Sequence, residues 1–206
     1  MFEGQLFREW SLPRHSVMAT AINIIANNIG DVNDEYLDVV PVRLQWRIWR
    51  VLEARGLCLH AWRLFSRRLL REDNDKTLGL HRFRQHICRP TDELSRYTQP
   101  MTSLPVDFIT HLVISGGCDF TTNQMLCLAD VKNLGVLELI QPADTTGAAF
   151  PNISDRLLRG WTEMEKPFPL LRVLRIWGDR HTTQESLRWV SKFPSLFLLG
   201  GYWCSA

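Results

Sequence analysis

Apolar residues recur at helical spacing through the first part of the chain and in short, regularly spaced clusters through the second. Met18, Ile22, Ile25 and Ile29 are spaced by four, three and four, with Ala21 and Ala26 beside them. That pattern predicts a helix over residues 16–29, buried on most of its surface and ended by Gly30. A second helix follows Pro41, a residue suited to a first helical turn because the N–H it lacks would be unpaired there. Its apolar stripe is Leu44, Ile48, Val51 and Leu52, widened by Trp46 and Trp49; Arg43, Arg47 and Arg50 share the opposite face, and Gly56 ends it. A third, over residues 57–70, buries Cys58, Trp62, Phe65 and Leu69 and turns Arg63, Arg67, Arg68 and Arg71 outward. Leu80, Phe83 and Ile87 predict a further short amphipathic helix that Pro90 stops, and residues 99–105, with Pro100 and Pro105, mark a boundary.

Beyond that boundary the period changes. Ile109-x-x-Leu112-x-Ile114 is followed by Leu134-x-x-Leu137-x-Leu139 and Leu171-x-x-Leu174-x-Ile176, with a weaker copy from Leu196. The intervals from Leu112 to Leu137 and from Leu174 to Leu199 are both 25 residues, and the middle interval is 37, one period plus an insertion of 12. A near-fixed period with this core reads as a leucine-rich solenoid. Each copy predicts a short strand with its leucines inward and the alternate residues on an outer, concave face. Thr121-x-x-Gln124 and Thr182-x-x-Glu185 have the form of capping boxes that start the return helices. Residues 154–164 supply the middle return helix, with Leu157, Leu158 and Trp161 inward. Phe168-Pro169 and Phe193-Pro194 stand in matching places before their strands, the prolines favouring extended neighbours. The positions that often hold asparagine in such turns carry Gly117, Pro142, Asp179 and Cys204, so the turns are expected to stack irregularly. Residues 143–151 form an exposed insertion, either a binding element or tolerated length.

Aligning the copies gives three outer rows: His111, Val136, Val173 and Leu198; Val113, Glu138, Arg175 and Gly200; Ser115, Ile140, Trp177 and Tyr202. Glu138 falls beside Arg175, and Trp177 between Ile140 and Tyr202. Aromatic and arginine side chains dominate binding hot spots, so Glu138, Ile140, Arg175, Trp177 and Tyr202 are the expected contacts of a protein partner. The alternative for the aromatics is packing beneath the C-terminal end, where residues 201–206 close the sequence on a strand pattern without a polar cap.

The order Val40-Pro41, Leu44, Ile48, Leu52, then Leu57, Leu59, Trp62 and Phe65 resembles an F-box, and its junction with irregular leucine-rich repeats resembles a class of fungal proteins. The resemblance implies that Pro41, Leu44, Ile48, Leu52, Trp62 and Phe65 bind a Skp-type cullin adaptor. It implies a substrate receptor or scaffold of a cullin-type ubiquitin ligase. In the other reading the N-terminal helices only cap the solenoid, in a structural or assembly protein. The expected fold is α/β: a helical F-box-like or capping region over residues 1–98, then a short irregular leucine-rich-repeat solenoid with parallel strands over residues 99–206.

Composition narrows the chemistry. The 206 residues carry 24 basic and 22 acidic side chains, a net charge of +2, which singles out neither nucleic acid nor membrane. The basic residues between Arg63 and Arg89 form a local patch, read as a solvated face, without a nucleic-acid motif around it. Five cysteines without a C-x-x-C pair point to reduced thiols in an intracellular, cytoplasmic or nuclear setting. Residues 1–10 lack a basic leader followed by an apolar run, so no secretory signal is expected, and no apolar run is long enough to predict a membrane span. His81, His86 and Cys88 lack a fourth ligand at zinc-like spacing, Ser115-Gly116-Gly117-Cys118 matches no phosphate loop or nucleophile elbow, and no carboxylate pair stands out as acid and base. The chain is expected to be no enzyme and to use no cofactor or metal.

Overall fold

A computed structural model describes residues 17–71, 78–103, 107–141, 150–178 and 183–201. The chain divides into two compact units, residues 1–72 and 73–206.

The first unit is helical: α1 (Val17–Asn27), α2 (Asp34–Asp38), α3 (Val42–Arg55) and α4 (Leu59–Leu69). Asn33 caps α2, its side chain accepting from the Tyr36 N–H at 3.0 Å. The α2–α3 corner is pinned by Gln45, nearly fully buried, whose Nε2 donates to the carbonyls of Leu37 at 3.0 Å and Val40 at 2.8 Å. The Leu37 carbonyl, which also accepts from the Val40 N–H at 3.1 Å, and the Val40 carbonyl just beyond the helix are thereby tied to α3. Arg68 of α4 reaches back to α2, donating to Asp34 and Asp38 at 3.0 and 2.7 Å. Gly56, at φ +97°, ends α3 as expected. The α3 and α4 stripes are buried at Ile48, Trp49, Leu52, Trp62, Phe65 and Leu69. Two expectations fail. Along α1 only Ala26 is buried and most other positions are exposed, so its isoleucine spacing marks no deep face. Cys58 precedes α4 and is exposed, because the helix begins one residue after it.

The second unit is α/β: α5 (Leu78–His81), β1 (Arg82–Cys88), α6 (Leu94–Thr98), β2 (Ile109–Ser115), α7 (Thr122–Leu126), β3 (Leu134–Ile140), α8 (Asp155–Glu163), β4 (Val173–Trp177), α9 (Gln184–Val190) and β5 (Leu198–Gly201). The five strands form one parallel sheet in sequence order, β1-β2-β3-β4-β5. Each crossover thus returns the chain one strand further along. Residues 82–88, expected as helix, are instead the first strand; Phe83 and Ile87, four apart, satisfy a period of two as well as 3.6. This strand explains why the second unit starts at residue 73, where sequence reading put the change of period at residues 98 and 99.

Leu112, Ile114, Leu137, Leu139, Leu174 and Ile176 are buried inward, as their spacing predicts. Behind them lie Met125 and Leu128, then Leu157, Leu158 and Trp161, all fully buried. Trp161 donates its indole N–H to the Met125 carbonyl at 2.9 Å and meets Phe168 edge-on at 5.2 Å. Phe168 packs in turn against Phe193 at 5.3 Å. Phe168 adopts φ +47°, not the extended form expected before Pro169; this costly backbone is held by its complete burial between two aromatic rings.

The capping box of α7 forms on Thr121 and Gln124. For α9 the cap is Thr183, which accepts from the Glu185 N–H, one residue later than the Thr182 expected. The later start turns Ser186 inward and leaves Leu187 exposed. Thr182, and most of the 143–151 insertion, lie outside the described residues.

Candidate functional site

The outer rows of the sheet assemble in the register the repeat spacing predicts. His111 pairs with Val136, Val136 with Val173 and Val173 with Leu198; Val113 pairs with Glu138, Glu138 with Arg175 and Arg175 with Gly200; Ser115 pairs with Ile140 and Ile140 with Trp177. One register irregularity separates Thr110, paired with Leu134, from His111, paired with Val136. Gly135 is the extra residue. A Cβ there would come within 2.5 Å of the Ile109 side chain, so the bulge requires its absence.

Strand β1 adds a column that repeat spacing alone did not reveal. Arg84 pairs with His111, His86 with Val113 and Cys88 with Ser115. The strict alternation of Arg82, Arg84, His86 and Cys88 with Phe83, Gln85 and Ile87 is the signal that marks it. Arg84 and His86 are exposed, Arg82 half-buried.

At the centre, Glu138 holds two neighbours through one oxygen. His111 Nε2 lies 2.9 Å from Glu138 Oε1, and Arg175 Nη1 donates to the same atom at 3.4 Å. His111 is 7% exposed, and its Nδ1 has no partner among the described residues. Burial pushes the imidazole below its ordinary pKa, aided by the charges of Arg82 and Arg84 and opposed by Glu138. His111 is therefore neutral near pH 7, its Nε2–H donated to the carboxylate. On the next row His86 Nε2 lies 2.6 Å from Ser115 Oγ.

Ile140 and Arg175 are half-buried and Trp177 is 37% exposed, so all three present surface on the outer face. Tyr202 lies outside the described residues. In the helical unit the residues expected to bind an adaptor separate. Ile48, Leu52, Trp62 and Phe65 are buried, Leu44 is half-buried and Pro41 is exposed. Around Pro41 exposed apolar surface lies at Val39, 83% exposed, and Val42, 41%; elsewhere in the unit Val17 and Ile24 of α1 are exposed as well.

Among the described residues no three His, Cys, Asp or Glu side chains gather as a metal site, and no helix is long and apolar enough to cross a membrane. Cys118 is buried beside Ser115, its thiol pushed up by desolvation. A thiol so protonated is a poor nucleophile. Comparison of the chain with protein-family models, with curated proteins and with solved structures found no match.

Proposed function

We propose that this chain is a non-catalytic protein-interaction module in which the strands of a short, irregular leucine-rich-repeat solenoid hold a protein partner on their outer face. The observation that carries the reading is the side-by-side register of Glu138 with Arg175 and of Ile140 with Trp177. These side chains come from segments 37 residues apart and meet through strand pairing. The face combines a partly exposed tryptophan, an arginine and aliphatic surface, the composition of an interface centre. Its test is substitution of Ile140→Asp with Trp177→Ala, which leaves the inward leucines intact. Circular dichroism should stay unchanged while partner capture is lost; retained capture by the double variant would sink the reading.

The F-box-like segment extends this proposal to a receptor or scaffold of a cullin-type ubiquitin ligase. Apolar exposure at Val39, Pro41 and Val42 supports docking of a Skp-type adaptor at the start of α3. Ile48, Leu52, Trp62 and Phe65 then shape that edge from within and do not touch the adaptor. Co-expression with such an adaptor followed by size-exclusion chromatography should give co-elution that Val39→Asp with Val42→Asp abolishes. Absence of co-elution by the wild type would leave the structural or assembly role, with the helices as a cap, as the better account.

A further inference from the structure

The outer face is unevenly charged, and the imbalance comes from the strand that sequence spacing missed. Arg82 and Arg84 of β1 project onto this face, and neither is ion-paired among the described residues. Arg175 is the third cation, and the single carboxylate between them, Glu138, is already engaged by Arg175 and His111. Burial keeps His111 neutral, so it adds no positive charge and offers no spare donor. Among the described residues the face thus carries two arginines without an ion pair at its β1 side and aliphatic surface with Trp177 toward β4.

We infer that the partner contributes an extended acidic segment that crosses the strands, its carboxylates meeting Arg82 and Arg84 and an apolar residue meeting Ile140 and Trp177. This rests on the interaction-module reading and adds the chemistry of the partner. Charge complementarity selects the occupant, because approach of an anion to two guanidinium groups that have no ion pair among the described residues is favoured while a basic segment meets repulsion at the same place. Polypeptide fits better than nucleic acid. The surface between the cations is aliphatic, at Val136 and Val173, where a single-stranded nucleic acid needs successive aromatic platforms. Geometry also sets a spacing. From β1 to β4 is three strand intervals of about 4.8 Å, or about 14 Å, and the row of Trp177 lies four residues beyond Arg84 and six beyond Arg82, about 13 to 20 Å further along the strands, so the diagonal is about 19 to 24 Å, which an extended chain spans in about six or seven residues. The segment therefore carries its acidic cluster about six or seven residues from its apolar anchor.

The experiment is selection of a displayed random peptide library on the full chain, repeated on Arg82→Glu with Arg84→Glu and on Ile140→Asp with Trp177→Ala, each first shown folded by circular dichroism. Expected are wild-type selections rich in Asp and Glu at that spacing from a hydrophobic residue. A synthetic peptide of the selected sequence should weaken steeply with added salt and lose at least about tenfold in affinity to the arginine variant, with Arg82→Lys and Arg84→Lys retaining it. Peptides that depend on Ile140 and Trp177 but show no acidic bias would overturn the inference and leave the interaction face standing. Peptides indifferent to both variants, or none, would overturn both. Tighter binding of a fluorescent oligouridine at the same arginines would overturn it in favour of nucleic acid.

Discussion

Asn133 shows at a single position how backbone groups ahead of β2 are satisfied by one side chain. It is fully buried just before β3, where its Nδ2 lies 3.0 Å from the Met101 carbonyl, 3.1 Å from that of Phe108 and 3.0 Å from Thr110 Oγ1. Its Oδ1 accepts from the Ser103 N–H at 3.1 Å. A primary amide has two protons and here three acceptors, so one proton is shared and every partner is served by this one side chain. Asn133→Ala strands a buried N–H and at least two carbonyls. A loss of about 3 kcal/mol is expected, readable as a lowered urea midpoint with an unchanged m-value; Asn133→Asp should cost similarly, since its carboxylate cannot donate to the carbonyls. The role was not legible beforehand because Asn133 precedes the repeat core by one residue and its partners are split between the boundary read at residues 99–105 and the start of the first copy, at Phe108 and Thr110. Asp155 is a comparable point. It accepts from Thr183 Oγ1 at 2.8 Å and from the hydroxyl of fully buried Ser186, joining the first turn of α8 to that of α9. Asp155→Ala leaves Ser186 without that acceptor, an expected cost of about 2 kcal/mol.

At the scale of elements, the strands β2, β3 and β4 and the rows between them were readable because a fixed leucine spacing sets both the inward set and the cross-strand register. One residue of shift would turn every outer residue inward, and alignment of Leu137 with Leu174 and of Leu139 with Ile176 sets Glu138 beside Arg175. Strand β1 escaped because seven residues with apolar positions four apart fit either period, and the preceding Leu80 completed a helical stripe. Tertiary pairing decides such a segment. As a strand, β1 places Phe83 fully buried and edge-on to Phe108, with ring centroids 6.5 Å apart. Phe83→Ala should then cost about 3–4 kcal/mol, and backbone amides of β2 should exchange faster with deuterium as their neighbour loosens. A helix read from the pattern alone would instead make Gln85 a solvent residue, whereas it is half-buried in the inward set. The helical unit differs again. The burial of Ile48, Leu52, Trp62 and Phe65 followed from periodicity, but periodicity does not say whether an apolar stripe is satisfied within the chain or by a partner. Val39 and Val42, outside the stripe, are among those left exposed, as are Val17 and Ile24 of α1.

For the molecule as a whole, these local environments set a response to acid. His111 has its pKa lowered in the folded state, chiefly by burial. Above about pH 6.5 it is neutral folded or unfolded, and its contribution to stability is complete. As pH falls below that value the unfolded chain takes up a proton that the native site resists, so stability declines until pH reaches the lower folded pKa, where the loss levels off. The slope in that window is at most about 1.4 kcal/mol per pH unit for one group. Asp155 acts lower. Burial alone would raise its pKa, but the hydrogen bonds from Ser186 and Thr183 outweigh this and lower it. Its contribution is present above the ordinary carboxylate pKa, about 3.9, and is lost as pH falls through the lower folded value. Two separate windows follow for the α/β unit, one beginning near pH 6.5 and one beginning near pH 4. Amide exchange of β2 and β3 measured from pH 7.5 to 5.5 isolates the first, after correction for the intrinsic pH dependence of exchange. His111→Asn keeps a neutral polar group and removes the titration, so its protection should change less across that range than the wild type's, while Asp155→Asn should retain the wild-type change there and differ only in the acid window. Equal dependence in wild type and His111→Asn between pH 7.5 and 5.5 would mean that the imidazole titrates as it does in the unfolded chain, against the burial beside Arg82, Arg84 and Glu138 that the sheet imposes.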